Sequence, residues 1–73
     1  MSLYQEITKI SAPYLGPAAE SFIGKQCKLF LKIEPESLAK HHLGELAKWI
    51  EVGGTRYMDE ARTKELAAKV ARA

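Results

Sequence analysis

The stretch Tyr14-Leu15-Gly16-Pro17-Ala18-Ala19 ends one helix and starts another. Glycine adopts backbone angles that strain other residues, so Gly16 is suited to closing a helix. Pro17 has a fixed φ and no backbone N–H, so it fits the first turn of the next helix, where that donor is unpaired anyway. The small Ala18 and Ala19 allow another helix to approach closely. The stretch therefore predicts two helices joined by a tight turn.

Before this turn, the spacing of apolar residues predicts a first helix from about Ser2 to Ala12. Its apolar residues recur three and four positions apart, which places them on one face: Leu3, Ile7 and Ile10. Pro13 disfavours the helical conformation at the residue before it, so this helix is expected to end or kink there.

After the turn, a second helix is predicted from about Pro17 to Lys32. Its apolar residues cover a broad arc at helical spacing: Phe22, Ile23, Cys27, Phe30 and Leu31. An arc this wide is typical of a central helix with several neighbours. Polar residues share the opposite face: Ser21, Lys25, Lys28 and Lys32.

Beyond Pro35, one short turn around Glu36 to Ala39 and two further helices are predicted. The third helix has an inner face of Leu43, Leu46, Ala47 and Ile50. It is expected to end before Gly53-Gly54, and Thr55 or Asp59 can cap the fourth helix. That last helix continues through Ala61, Leu66, Ala67 and Val70. The predicted fold is all-α, a compact bundle of three to four short helices in a single domain, residues 1–73.

The composition favours a small, folded chain without a membrane span. Of the 73 residues, 47% are hydrophobic, which argues against disorder, and the net charge is only +2. No stretch approaches the ~20 apolar residues that cross a bilayer, and the first residues lack the pattern of a signal peptide. Cys27 is the only cysteine, so an internal disulfide and a cysteine-based zinc cluster are excluded. We expect a reduced, buried thiol and a cytoplasmic location.

The sequence shows no pattern typical of an enzyme. His41 and Glu45 share a helical face, but His42 projects about 100° away from His41, so at most two ligands meet. Zinc sites need three or four ligands, so a solvated histidine pair is the favoured interpretation. No serine or cysteine has a catalytic setting, and no glycine pattern forms a phosphate-binding loop. We therefore predict no catalytic, metal-binding or cofactor-binding residues.

Trp49 lies to one side of the inner face of the third helix, near Leu38 and His42. Two interpretations stay open. Trp49 widens the core, since tryptophan is usually largely buried. Alternatively, Leu38, His42 and Trp49 form a second apolar strip that contacts another protein, because aromatic residues dominate many interfaces. The partner is then another protein or a second copy of the chain, as in a homodimer.

A nucleic-acid surface is the competing hypothesis. Lys25, Lys28 and Lys32 lie on one face of the second helix and could contact phosphates. The alternative is the ordinary solvated face of an amphipathic helix, which is commonly rich in lysine. No arginine-rich recognition helix accompanies the stripe.

The segment Tyr14-Leu15-Gly16-Pro17, followed by Ala19, also resembles a known family. Together with Leu43-Gly44-Glu45-Leu46-Ala47, it is similar to a small helical domain found at the ends of bacterial signalling proteins. In that family a Y-[IL]-G-P-x-A segment stands beside kinase, receiver or other regulatory domains. The resemblance implies a protein-interaction module in signalling or regulation, and it implies no catalytic residues.

Overall fold

Four α-helices form the protein, as a computed structural model describes it for residues 2–73. The helices are α1 (Leu3–Leu15), α2 (Ala19–Gln26), α3 (Leu43–Gly54) and α4 (Glu60–Ala71). No β-strand occurs within residues 2–73. The helices pack into a compact bundle in which α3 lies against α4, and α1 lies against both α2 and α4. The predicted all-α bundle is confirmed.

Helix α1 starts with a capping box and runs further than its sequence predicts. The Ser2 hydroxyl accepts a hydrogen bond from the Gln5 N–H at 3.2 Å, and the Gln5 side chain accepts one from the Ser2 N–H at 3.1 Å. The predicted end or kink at Pro13 is wrong as an end, because α1 continues to Leu15. Proline removes one backbone donor only two residues before the helix ends, and burial of Leu15 favours the extra turn.

The turn that follows α1 has the predicted form. Gly16 has a φ of 60°, and its N–H donates to the Ala12 carbonyl. Pro17 lies in a short 3₁₀ turn, Gly16–Ala18, directly before α2. Ala19 is buried against its neighbours, as close helix packing requires. The prediction of two helices joined at Gly16 and Pro17 is confirmed.

Tyr14, in the same stretch, connects α1 to α4. The Arg62 guanidinium lies 4.9 Å from the centre of the Tyr14 ring, and the Lys69 ammonium lies 5.0 Å from it. Arg62 also donates a 3.2 Å hydrogen bond to the Pro13 carbonyl. Cations near an aromatic ring are attracted to its electron-rich face. The end of α1 is therefore held against α4 by contacts between residues distant in sequence.

The second predicted helix changes its geometry at Cys27. Helix α2 is followed by one wide turn of π-helix, Cys27–Leu31, which we call the π turn. It closes at Lys32, which has a left-handed backbone with φ of 59°, and the Ile33 N–H donates to the Cys27 carbonyl at 3.1 Å. A π turn has i→i+5 hydrogen bonds, so residues after it are rotated from the α-helical register. Phe30 lies within this turn and is 38% exposed, although the sequence predicts it within the buried arc.

Helix α3 contains the two glycines that were predicted to lie beyond its end. Gly53 and Gly54 are both helical, so the predicted stop is wrong. A Cβ at Gly53 would lie 3.0 Å from Nε2 of Gln26, and one at Gly54 would lie 2.9 Å from Cγ2 of Thr63. Glycine is needed here because α3 approaches its neighbours so closely. The glycines therefore allow close packing, and α3 ends at the second of them, two residues later than predicted.

Helix α4 begins as predicted at one of the two candidate caps. The Asp59 carboxylate accepts a 2.8 Å hydrogen bond from the Arg62 N–H, which satisfies one of the free donors at the helix start. Thr55 instead follows the last residue of α3. Apolar residues from all four helices form one core, together with the buried hydroxyl groups of Ser11 and Thr63, which donate to backbone carbonyls four residues earlier.

Candidate protein-docking groove

An exposed apolar groove lies between the π turn and the end of α3. Leu29 and Phe30 form one side, and Val52 and Tyr57 form the other. These four side chains are 62%, 38%, 60% and 56% exposed, respectively, and they are the large hydrophobic residues that the fold leaves in solvent within residues 2–73. The cavity between them has a volume of about 290 Å³. We call it the apolar groove.

Two aromatic pairs support the sides of the apolar groove. The ring of Phe30 stacks on Trp49, with ring centres 4.4 Å apart and an angle of 16° between the planes. The ring of Tyr57 contacts Phe22 edge to face, with ring centres 5.2 Å apart. Phe22 is buried and Trp49 is partly buried, so each exposed ring is anchored to the body of the bundle. Such pairs contribute about 0.5–1.5 kcal/mol beyond the area they bury.

The floor of the apolar groove contains Gln26 and Gly53. Gln26 is only 5% exposed, and its side-chain carbonyl oxygen has no hydrogen-bond partner among the described residues. The missing side chain of Gly53 leaves the space that the Gln26 amide occupies. A buried polar atom without a hydrogen-bond partner lowers the free energy of unfolding, so the stability of the fold does not explain why glutamine stands at position 26.

The rim of the apolar groove is positively charged. Lys25 and Arg56 line it, and no acidic residue does. The ion pairs within residues 2–73 join Glu60 to Lys64 and Glu65 to Lys69, so neither rim cation is neutralised by a carboxylate. A negatively charged group on a partner would therefore be attracted to the rim, although Lys25 also borders a second groove that contains three glutamates.

The three residues of the predicted interface strip do not share one exposed surface. Leu38 belongs to the core at 6% exposure, and it lies in extended backbone before α3 rather than on the helix. His42 is partly buried, and its Nδ1 accepts a 3.0 Å hydrogen bond from the Ala39 N–H. Trp49 alone adjoins the apolar groove, through its stacking on Phe30. Its indole N–H is buried and has no hydrogen-bond partner within residues 2–73. Trp49 is therefore partly buried, as in the core interpretation, and also borders the apolar groove, as in the interface interpretation.

The lysine stripe is exposed, but it is not uniformly basic. Lys25 and Lys28 line a second surface groove together with three carboxylates: Glu20, Glu34 and Glu36. Lys32 has left the helical register because it closes the π turn. Acidic groups beside these lysines lower the positive potential that phosphates would experience.

The histidine pair and the single cysteine are not part of a three-ligand metal site within residues 2–73. The rings of His41 and His42 lie 4.0 Å apart, and no group of three potential metal ligands occurs within residues 2–73. The Cys27 thiol is buried, and burial raises its pKa because the thiolate is disfavoured away from water. None of the helices in the described part of the chain is both long and apolar enough to cross a membrane.

Sequence reasoning missed most of the apolar groove, although a signal for it was present. At regular helical spacing Leu29 shares a face with Lys25 and Lys32, and Val52 lies four residues after the exposed Lys48. Both are large apolar residues on faces that are otherwise polar. Off-pattern residues of this kind indicate a contact surface, because a core does not account for them.

No family model, no curated protein and no solved structure matches this chain. The resemblance of the Tyr14–Ala19 stretch to the helical domain of bacterial signalling proteins therefore stays a prediction.

Proposed function

We propose that this protein is a protein-interaction domain and that the apolar groove is its binding surface. The observation that carries the proposal is the convergence of Leu29, Phe30, Val52 and Tyr57 on one concavity. Scattered exposed apolar residues are common on any protein and need no explanation. Four that converge on one anchored concavity are typical of a surface that another protein covers.

The core does not account for these residues. Each helix already contributes buried side chains to one core, which includes Ile7, Ile23, Ile50 and Val70. The four exposed side chains of the apolar groove lie outside that cluster, so covering them adds to the buried apolar area without being required for the bundle to fold. Buried apolar area is the main favourable term in protein association, and aromatic residues contribute much of it.

The cellular setting is part of the proposal. A buried free thiol at Cys27 is suited to the reducing cytoplasm. A role in signalling or regulation rests on the resemblance of the Tyr14–Ala19 stretch. A role in nucleic-acid binding through Lys25, Lys28 and Lys32 has weaker support, because carboxylates line the same surface.

Site-specific photo-crosslinking in the native cell tests the proposal. A photoreactive phenylalanine analogue is placed at Leu29 or at Val52, on opposite sides of the apolar groove. The matched control places it at Ala61, which is also solvent-exposed but lies in the first turn of α4. We expect discrete protein adducts from the two groove positions and none of these adducts from position 61.

The purified components then provide a quantitative comparison. The double variant Leu29→Asp/Val52→Asp should bind the crosslinked protein at least about tenfold more weakly, because two charges replace apolar contacts. Ala61→Asp should bind it normally. An adduct of twice the chain mass supports the proposal with a second copy as partner. Absence of adducts from both groove positions, or equal binding by the double variant, would refute it.

A further inference from the structure

We infer that the apolar groove binds an amphipathic helix of another protein whose apolar face is flanked by acidic residues. This inference rests on the proposed function and specifies the chemistry of the partner.

The positive charge of the rim favours a partner helix with acidic residues beside its apolar face. Lys25 and Arg56 line the apolar groove, neither is paired with a carboxylate within residues 2–73, and no lining residue is acidic. Complementary charges at a rim increase the association rate and disfavour partners of the wrong sign. Because such pairs stay partly solvated, they contribute specificity more than affinity.

The shape favours a helix as the occupant. Strand addition needs an exposed sheet edge, and the fold within residues 2–73 has no strand. The two sides of the apolar groove come from helical segments, the π turn and the end of α3. A volume of about 290 Å³ accommodates a few apolar side chains of one helix face. A lipid surface fits less well, because two lining cations are fewer than in the basic clusters that typically bind anionic headgroups.

Symmetry argues against a second copy as the occupant. A two-fold symmetric interface brings the same patch of each copy together. If two grooves met in this way, each copy would bring two lining cations, Lys25 and Arg56, to the shared interface. The groove residues supply no carboxylate to compensate them. Like charges brought together at an interface weaken association.

Peptide titrations with a charge-reversal variant test the inference. Trp49 is the only tryptophan and stacks on Phe30, so its fluorescence reports on occupancy of the groove. Two tryptophan-free helical peptides of about 16 residues share the same leucine face and differ only in flanking residues, glutamate or lysine. The proteins are the wild type, Lys25→Glu/Arg56→Glu, and the control Lys9→Glu, which changes an exposed lysine of α1 outside the groove.

We expect the wild type and Lys9→Glu to bind the glutamate-flanked peptide about fivefold more tightly than the lysine-flanked peptide, as two partly solvated ion pairs allow. The double variant should reverse this preference. Raising the salt concentration should reduce the difference.

Three results would overturn the inference. The first is equal affinity for both peptides or no binding of the glutamate-flanked peptide at about 1 mM. The second is a groove-dependent dimer in sedimentation. The third is tighter binding to phosphatidylserine vesicles than to either peptide. Crosslinks from Leu29 and Val52 to another protein, combined with no charge preference, would refute this inference alone. Absence of those crosslinks would refute the proposed function as well.

Discussion

Replacing Gly54 by alanine should destabilise the protein, although alanine is the better helix former. Gly54 is helical with a negative φ, so alanine adopts its backbone without strain. The added Cβ, however, would lie 2.9 Å from Cγ2 of Thr63 and 3.3 Å from its Oγ1. Thr63 is buried and donates a hydrogen bond to the Asp59 carbonyl, so it has little room to move. The contact between α3 and α4 must therefore widen.

The expected change in the free energy of unfolding is the difference between two opposing effects. Overpacking of a well-packed core costs about 1–3 kcal/mol. Alanine in place of glycine within a helix stabilises by about 1 kcal/mol. We expect a net loss of about 1 kcal/mol in the free energy of unfolding for Gly54→Ala. In a domain of this size that loss lowers Tm by about 4–8 °C.

The same helix offers a matched control and a rescue. Gly44 is exposed, and nothing lies within 4 Å of a Cβ placed there, so Gly44→Ala should raise stability by up to about 1 kcal/mol. Thr63→Ser removes the methyl group that the Cβ added at position 54 would contact, and it keeps the hydroxyl. The double variant Gly54→Ala/Thr63→Ser should therefore be more stable than the sum of its single changes predicts, by at least about 0.5 kcal/mol.

Urea unfolding monitored by circular dichroism measures all four variants under one condition. The opposite signs at Gly44 and Gly54 form the central test, because helix propensity alone predicts stabilisation at both positions. If Gly54→Ala is as stabilising as Gly44→Ala, the close approach of α3 and α4 is not as described. Strict additivity with Thr63→Ser would likewise refute the role of the methyl group.

Three further predictions concern single side chains. Gln26→Met should raise the free energy of unfolding by up to about 1 kcal/mol, because it removes the unpaired carbonyl of a buried side chain. A lower urea midpoint would indicate that the Gln26 side chain has a hydrogen-bond partner. Asp59→Ala should lower the free energy of unfolding by about 1 kcal/mol, because the side chain that caps α4 is lost. Asp59→Asn should cause a much smaller loss, because asparagine also caps helices well. Burial raises the pKa of Cys27, so the folded state keeps its proton where the unfolded state loses it. Stability should therefore fall as pH rises above about 8.5, and urea unfolding of Cys27→Ala should show a flatter pH dependence.

The groove illustrates how a candidate site is only partly visible in sequence. Trp49 is conspicuous as the single tryptophan, and it does adjoin the apolar groove. The strip predicted from sequence also includes Leu38, but residue 38 precedes α3 and its side chain belongs to the core. Regular helical spacing likewise places Phe30 on the buried arc, but Phe30 lies within the π turn and is 38% exposed. A single change in helical register is enough to exchange buried and exposed residues.

The sequence alone determined the helical class, the turn at Gly16 and Pro17, and two candidate caps for α4, of which the structure uses Asp59. Each depends on backbone angles or hydrogen bonds within a few residues, which local side chains set directly. Only the tertiary structure decided that α1 continues past Pro13 and that α3 includes Gly53 and Gly54. It likewise brought Leu29 and Val52 to one groove. These outcomes depend on how closely distant segments approach, and packing energy there outweighs the local preferences of proline and glycine.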